Sequence, residues 1–357
     1  MKLSGVEKTT KFPSLSIGRF FTGQFQRDIE KWLSYNIGLR AAFIRIDNQI
    51  NYSFFNYVSA TPSIIIGKDK WLYSTPYIDN YYNRDIVPIC ELEKKAINIT
   101  KLQKLLKSKD IGFLLIITPN KASIYPEYIP EYIKKKYIAE KNVRKKSNYE
   151  NIISLFNKYK INYLDGHSFF IELKKKSPYP LFPKSGIHWS YYSAYFFTDK
   201  FISTLERIIN KKLTSINFKD IEITKIPFGS DNDIAELTNI IFTKSLYDRY
   251  QYPKISCRNN NGKLFKPKLL FVGGSFLRNI FYYLNTCDVY SQCNLYFYYN
   301  LNRTLPQQTD EVIDKKNLNL YMEMLKNNII IIEANEQVIN NIGFGFVEDA
   351  LKAFNKK

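Results

Sequence analysis

Two histidines and three tryptophans are all that this chain of 357 residues holds of either type, and no CxxC spacing occurs among its four cysteines. With Cys90, Cys257, Cys287 and Cys293 dispersed and only two imidazoles to join them, the sequence argues against a structural zinc site. So few cysteines also exclude a small disulfide scaffold, and a chain of this length buries a core without one. The spacings fit a Cys287–Cys293 pair in an oxidising compartment and fit four buried thiols equally. Long apolar runs are missing too: residues 113–117 and 329–332 stop far short of the roughly 18 residues that a membrane-spanning helix needs. Residues 1–20 show no basic stretch followed by an apolar one, the signature of a secretion signal. Acidic residues are in deficit, 33 against 52 Lys and Arg, for a net charge of +19. Such an excess suits nucleic acid, an anionic surface or an acidic polymer. The bases, however, stand in short scattered runs (residues 134–136, 144–145, 174–176 and 211–212) within a chain rich in Asn, Ile and Tyr. That pattern reads as compositional bias with solvated lysine faces, and no nucleic-acid module appears.

What is present is periodicity. Phe25, Ile29, Trp32, Leu33 and Ile37, then Phe43, Ile46, Ile50 and Phe54, recur at helical steps and predict two helices broken near residues 36–38. Residues 63–74 (SIIIGKDKWLYS) carry a hairpin signature. An amphipathic helix over 91–108 leads into the apolar run 111–118, and the alternation continues with helices near 147–159 and 189–210 and strands near 161–164, 269–272 and 329–333. Short apolar strands alternating with helices predict an α/β fold, a parallel sheet covered by helices on both faces. The expected organisation is a helical segment over 1–60 packed on one α/β domain over 61–357. No stretch beyond residue 300 reads as a separate all-β module.

Ligands bind such sheets beyond the carboxyl ends of the strands, so the residues there are the candidates. In 269–278 (LLFVGGSFLR) Ser275 follows a strand and a glycine pair where a helix begins, a placement that suits a nucleophile and equally a helix cap. A serine nucleophile needs a base, and only His167 and His188 are available. His188, beside Trp189 at a loop-to-helix junction, is the preferred one; His167, in Asp165-Gly166-His167, suits a helix cap.

Taken in order along the chain, these segments resemble the AlgX/AlgJ-type SGNH-hydrolase-like acetyltransferases, which O-acetylate bacterial exopolysaccharides such as alginate or cellulose. Residues 20–25 (FFTGQF) with Trp32 and residues 38–40 (GLR) are similar to the family's helical entry, and residues 66–73 (IGKDKWLY) to its Gly-x-x-x-Trp-Leu-Phe hairpin. Residues 118–126 (TPNKASIYP) match its Pro-x-Lys-x-x-x-Tyr-Pro segment, residues 186–189 (GIHW) its Asp-x-His-Trp, residues 273–276 (GGSF) its Gly-x-Ser-Phe, and residues 332–336 (IEANE) its late strand and Glu.

The resemblance implies an SGNH-like fold with Ser275 as nucleophile and His188 as general base. The family's acid two residues before the histidine is Gly186 here. Asp165, Asp233, the Ser185 hydroxyl or a backbone carbonyl are the replacements open to it. For the oxyanion and substrate, backbone N–H groups at the helix start, with Gly274, Asn120 and Arg303, are the candidates. The 28 Tyr and 26 Phe supply aromatic platforms for sugar rings, though most must be core. The implied activity is acetyl transfer through an acyl-serine to polysaccharide hydroxyls, without cofactor or metal. The implied partners are a polysaccharide acceptor and an MBOAT-type membrane acetyl donor. The expected setting is extracytoplasmic, the chain monomeric here and membrane-anchored by an upstream segment in the full-length protein. A carbohydrate esterase with the same pair, or a polysaccharide-binding or assembly protein with a degraded triad, are the alternatives.

Overall fold

Along the apolar run that ends at Thr118, successive side chains enter opposite faces of one sheet: Leu114 and Ile116 join one buried cluster, and Phe113, Leu115 and Ile117 the other. Ile329 and Ile331 part from Ile330 and Ile332 in the same way. Burial on both sides is why these strands read as uninterrupted apolar stretches rather than as half-polar alternation. The computed structural model describes residues 3–5, 11–36, 38–59, 63–138, 146–258 and 264–356. Ile37, the basic pair 144–145 and the expected boundary at 60/61 lie outside the described residues.

In chain order the strands are β1 (Ile64–Ile66), β2 (Leu72–Ser74), β3 (Gly112–Thr118), β4 (Tyr163–Asp165), β5 (Ser215–Thr224), β6 (Tyr250–Arg258), β7 (Lys268–Gly273), β8 (Gln292–Phe297), β9 (Leu301–Leu305), β10 (Thr309–Val312) and β11 (Ile329–Asn335). The central sheet has the order β10-β9-β8-β7-β11-β3-β4, parallel from β4 to β8, with β9 and β10 added antiparallel at one edge. Helices Tyr191–Ile209 and Leu277–Thr286 cover one face, and Ile89–Lys107, Asn148–Tyr159 and Phe346–Asn355 the other. Pairs β1/β2 and β5/β6 form separate antiparallel ribbons.

Three N-terminal helices, Ile17–Phe21, Gln24–Asn36 and Arg40–Phe55, precede the sheet. The last docks through polar contacts: buried Asn48 donates to the Thr238 carbonyl (2.9 Å), and Gln49 accepts from the Ile241 and Phe242 N–H groups. No helix among the described residues is long and apolar enough to cross a membrane. The disulfide joins Cys257 at the end of β6 to Cys287 just after the helix Leu277–Thr286, not Cys287 to Cys293. Cys293 lies buried on β8, turned into the core, and Cys90 is exposed.

Candidate active site

Strand β7 ends on Gly273 and Gly274 follows it, each confined by its neighbours. A Cβ on Gly273 would stand 2.8 Å from the Glu333 Cβ, and one on Gly274 2.8 Å from the Tyr298 ring. Neither position has room for a side chain, so the chain can pass tightly between β11 and Tyr298 before it turns. Ser275 lies in that turn, and the helix starts two residues later at Leu277.

His188 arrives from a loop held from below. The buried Lys121 ammonium donates to the carbonyls of Pro183 (2.7 Å), Lys184 (3.0 Å) and Gly186 (2.8 Å) and lies 5.0 Å from the Trp71 ring. Burial holds the pKa of Lys121 well below its ordinary value. The His188 ring rests against Phe276, with centroids 4.8 Å apart, and the neighbouring Trp189 stacks on Phe170. Asn279, on the helix after Ser275, donates to the Trp189 carbonyl at 2.8 Å and so joins the two segments.

Across 87 positions of sequence, His188 Nε2 lies 2.7 Å from Ser275 Oγ. His188 Nδ1 lies 2.5 Å from Asp233 Oδ2, and Asp233 Oδ1 accepts the Ile187 N–H at 2.9 Å. An ionised carboxylate can only accept, which puts the ring proton on Nδ1 and leaves Nε2 to accept from the serine. Asp233 opens the helix Asp233–Leu237, whose far end meets the N-terminal helix through Thr238. The arrangement can deprotonate Ser275 and stabilise the imidazolium that forms.

Of the four replacements open for the acid, Asp233 is the group found at His188. Asp165 instead caps the helix Gly166–Lys176, accepting from the Ser168 N–H and hydroxyl and from Tyr149. Ser185 donates to the Asp231 carbonyl and meets the Tyr250 hydroxyl. His167 pairs with buried Glu336 at 2.7 Å. Burial opposes charge on His167, but the Glu336 contact outweighs it and raises the pKa.

Two oxyanion candidates are otherwise engaged. The Gly274 N–H donates to Glu333 Oε2 (2.7 Å), and Asn120 spends its amide on the Tyr77 carbonyl and Asn80 while its Oδ1 caps Ala122. Burial pushes the Glu333 pKa up, even though Thr118 also donates to it at 2.6 Å. Arg303 forms a bidentate pair with Asp310 and lines a cleft of about 320 Å³ that opens at Gly274. Tyr191, Phe228, Arg278, Tyr282 and Phe297 also line it. Among the described residues no cluster of His, Cys, Asp or Glu could hold a metal ion. Sequence reasoning missed Tyr298 and Asn279: Tyr298 belongs to a segment without a motif, and Asn279, one residue beyond the 269–278 stretch, gives no local sign of its Trp189 partner.

A family model described as the SGNH hydrolase-like domain, acetyltransferase AlgX, matches residues 64–284, more than half of the chain. A probable alginate O-acetylase AlgJ of Pseudomonas fluorescens is 29% identical over 82 residues, which are 23% of this chain and 19% of that protein. The match thus spans about a fifth of the relative's length. Among solved structures, the O-acetyltransferase domain of Pseudomonas putida AlgJ has a TM-score of 0.50 at 14% identity, covering 83% of this chain and 100% of that one, a likeness of fold. Pseudomonas aeruginosa AlgX has a TM-score of 0.48 at 18% identity, covering 80% and 67%.

Proposed function

Because the chain belongs to the AlgX family of SGNH hydrolase-like acetyltransferases, we propose that it transfers acetyl groups through Ser275 to hydroxyls of a bacterial exopolysaccharide. The observation that carries this reading is the continuous path Asp233–His188–Ser275, with contacts of 2.5 and 2.7 Å. Ser275 gives its hydroxyl proton to His188 Nε2 as Oγ attacks the acetyl carbonyl. His188 then returns that proton to the leaving group of the donor. In the second half an acceptor hydroxyl gives its proton to His188 while its oxygen attacks the acyl-serine. Ser275 leaves with the proton, and free enzyme is restored. Asp233 holds the Nδ1–H tautomer throughout and favours the protonated ring.

The aromatic and guanidinium lining of the cleft beside Gly274 suits a sugar polymer. The Cys257–Cys287 disulfide supports an extracytoplasmic setting. There an MBOAT-type membrane protein supplies the acetyl group, and the protein acts as a membrane-associated monomer. An acid at Nδ1 also counts against an assembly protein with a degraded triad.

Incubation with an activated acetyl ester should add the mass of one acetyl group at Ser275, and Ser275→Ala should lose it. Acetylated oligosaccharide as product supports the transferase, free acetate alone the esterase. If wild-type protein gains no acetyl adduct, both enzyme readings fall.

A further inference from the structure

Two of the groups that would ordinarily neutralise an oxyanion beside Ser275 are spent elsewhere, the Gly274 N–H on Glu333 and the Asn120 amide on its own neighbours. One side-chain donor does face the nucleophile. The Tyr298 hydroxyl donates to Ser275 Oγ at 3.4 Å, the outer limit of a hydrogen bond. Its backbone is held where a bulky residue seldom sits: Tyr298 and Tyr299 have φ of 48° and 52°, left-handed values, and the Tyr298 N–H donates to the Gly273 carbonyl at 2.9 Å. Side-chain packing fixes the ring as well. It lies flat enough on Gly274 that a Cβ there would meet its Cε1 at 2.8 Å and its hydroxyl at 3.3 Å, and its outer edge meets Phe344 at a centroid distance of 5.2 Å. Backbone strain maintained at a reactive centre is a pointer to function.

We infer that Tyr298 is a catalytic residue whose hydroxyl donates the side-chain hydrogen bond to the oxyanion of the tetrahedral intermediates. The inference rests on the acyl-serine reading above. In the resting site the hydroxyl points at Oγ. Once Oγ has bonded to the acetyl carbon, the carbonyl oxygen stands two bonds further on, about 2.2 Å from Oγ on the bond lengths of an ester, and the donor needs only a small swing to reach it. The Ser275 N–H, for which the described residues provide no acceptor, is the second donor. Tyr298 transfers no proton in either half-reaction: it donates a hydrogen bond while His188 carries the proton.

The test is Tyr298→Phe, which keeps the ring on Gly274 and removes one oxygen. Turnover of an activated acetyl ester should fall about 10²- to 10³-fold in kcat, as for the loss of one oxyanion donor, with KM changed far less. A small boronic acid, which adds to Ser275 as a tetrahedral anion, should lose affinity in parallel, whereas a purely structural role would leave boronate binding matched to substrate binding. Wild-type kcat and boronate affinity in a Tyr298→Phe protein that melts normally would overturn the assignment. Ser275→Ala keeps the two readings apart. If it retains turnover, the acyl-serine reading fails. If it is inactive while Tyr298→Phe is unimpaired, only Tyr298 is displaced.

Discussion

The carbonyl oxygen of Ser230 lies 2.7 Å from the point where a Cβ on Gly186 would stand, and that of Asp231 lies 2.8 Å from it. The segment that carries Asp233 therefore fills the space that a side chain at position 186 would need. The carboxylate that meets His188 Nδ1 comes instead from 45 positions downstream of the histidine.

From this follows a paired expectation. Asp233→Asn keeps the shape but removes the charge that fixes the tautomer, and acetyl-ester turnover should fall by up to about 10⁴-fold. Gly186→Asp should lower turnover and melting temperature together, because its side chain must displace the backbone at 230–231. A Gly186→Asp protein with raised turnover would show that Asp233 does not serve the ring.

Lys121 gathers three carbonyls of the loop that leads to His188, and its loss should let the ring move. Lys121→Met leaves those carbonyls without their donor, at a cost of about 3 kcal/mol or more in unfolding free energy. Below the melting transition the variant should still bind acceptor sugar while kcat drops. The downfield proton signal of the His188 Nδ1–H should shift or broaden. An unchanged signal and kcat would leave Lys121 a purely structural role.

Much of this was legible in the sequence, because its strongest signals are local. The apolar strands β3, β7 and β11 and their helices announce themselves by period, and Ser275 and His188 by the turns that carry them. Asp233 was one of four replacements, and sequence had no means of ranking it above Asp165. Both aspartates open helices, and only the packing of 230–237 against the histidine loop separates them. The ribbon β5/β6 escaped because much of β5 is solvent-exposed and charged and its partner is separated from it by residues 225–249, so neither alternation nor proximity marks the pair. The disulfide followed the same logic: Cys257 meets Cys287 only because β6 runs past the end of the helix that Ser275 precedes.

That disulfide closes a loop of 30 residues between the ribbon and the helix after the nucleophile. On the chain-entropy account such a cross-link is worth about 3 to 4 kcal/mol. Cys257→Ser with Cys287→Ser should lower the denaturation midpoint by a comparable free energy, measured by denaturant titration. Reductant should mimic the double variant and leave that variant itself unmoved. Equal midpoints with and without reductant in the wild type would argue against the cross-link.

Asp231 supplies a pH dependence of known sign. Its carboxyl is buried, with Tyr252 of β6 donating to Oδ2 at 2.5 Å while Oδ1 finds no partner among the described residues. Burial pushes its pKa up to about 7 from 3.8. The folded state thus holds this proton more tightly than the unfolded chain does. The stabilisation is complete below about pH 4 and is lost as the pH climbs through 7, beyond which an ionised carboxylate remains buried. Asp231→Asn mimics the protonated form, so its melting temperature should decline less than the wild type's between pH 5 and 8, with the two curves diverging towards pH 8. Asp231 makes none of the hydrogen bonds of His188, so the pH at half-maximal turnover should stay where it is. Parallel melting curves across that range would mean that Asp231 ionises at the same pH in the folded and unfolded chain.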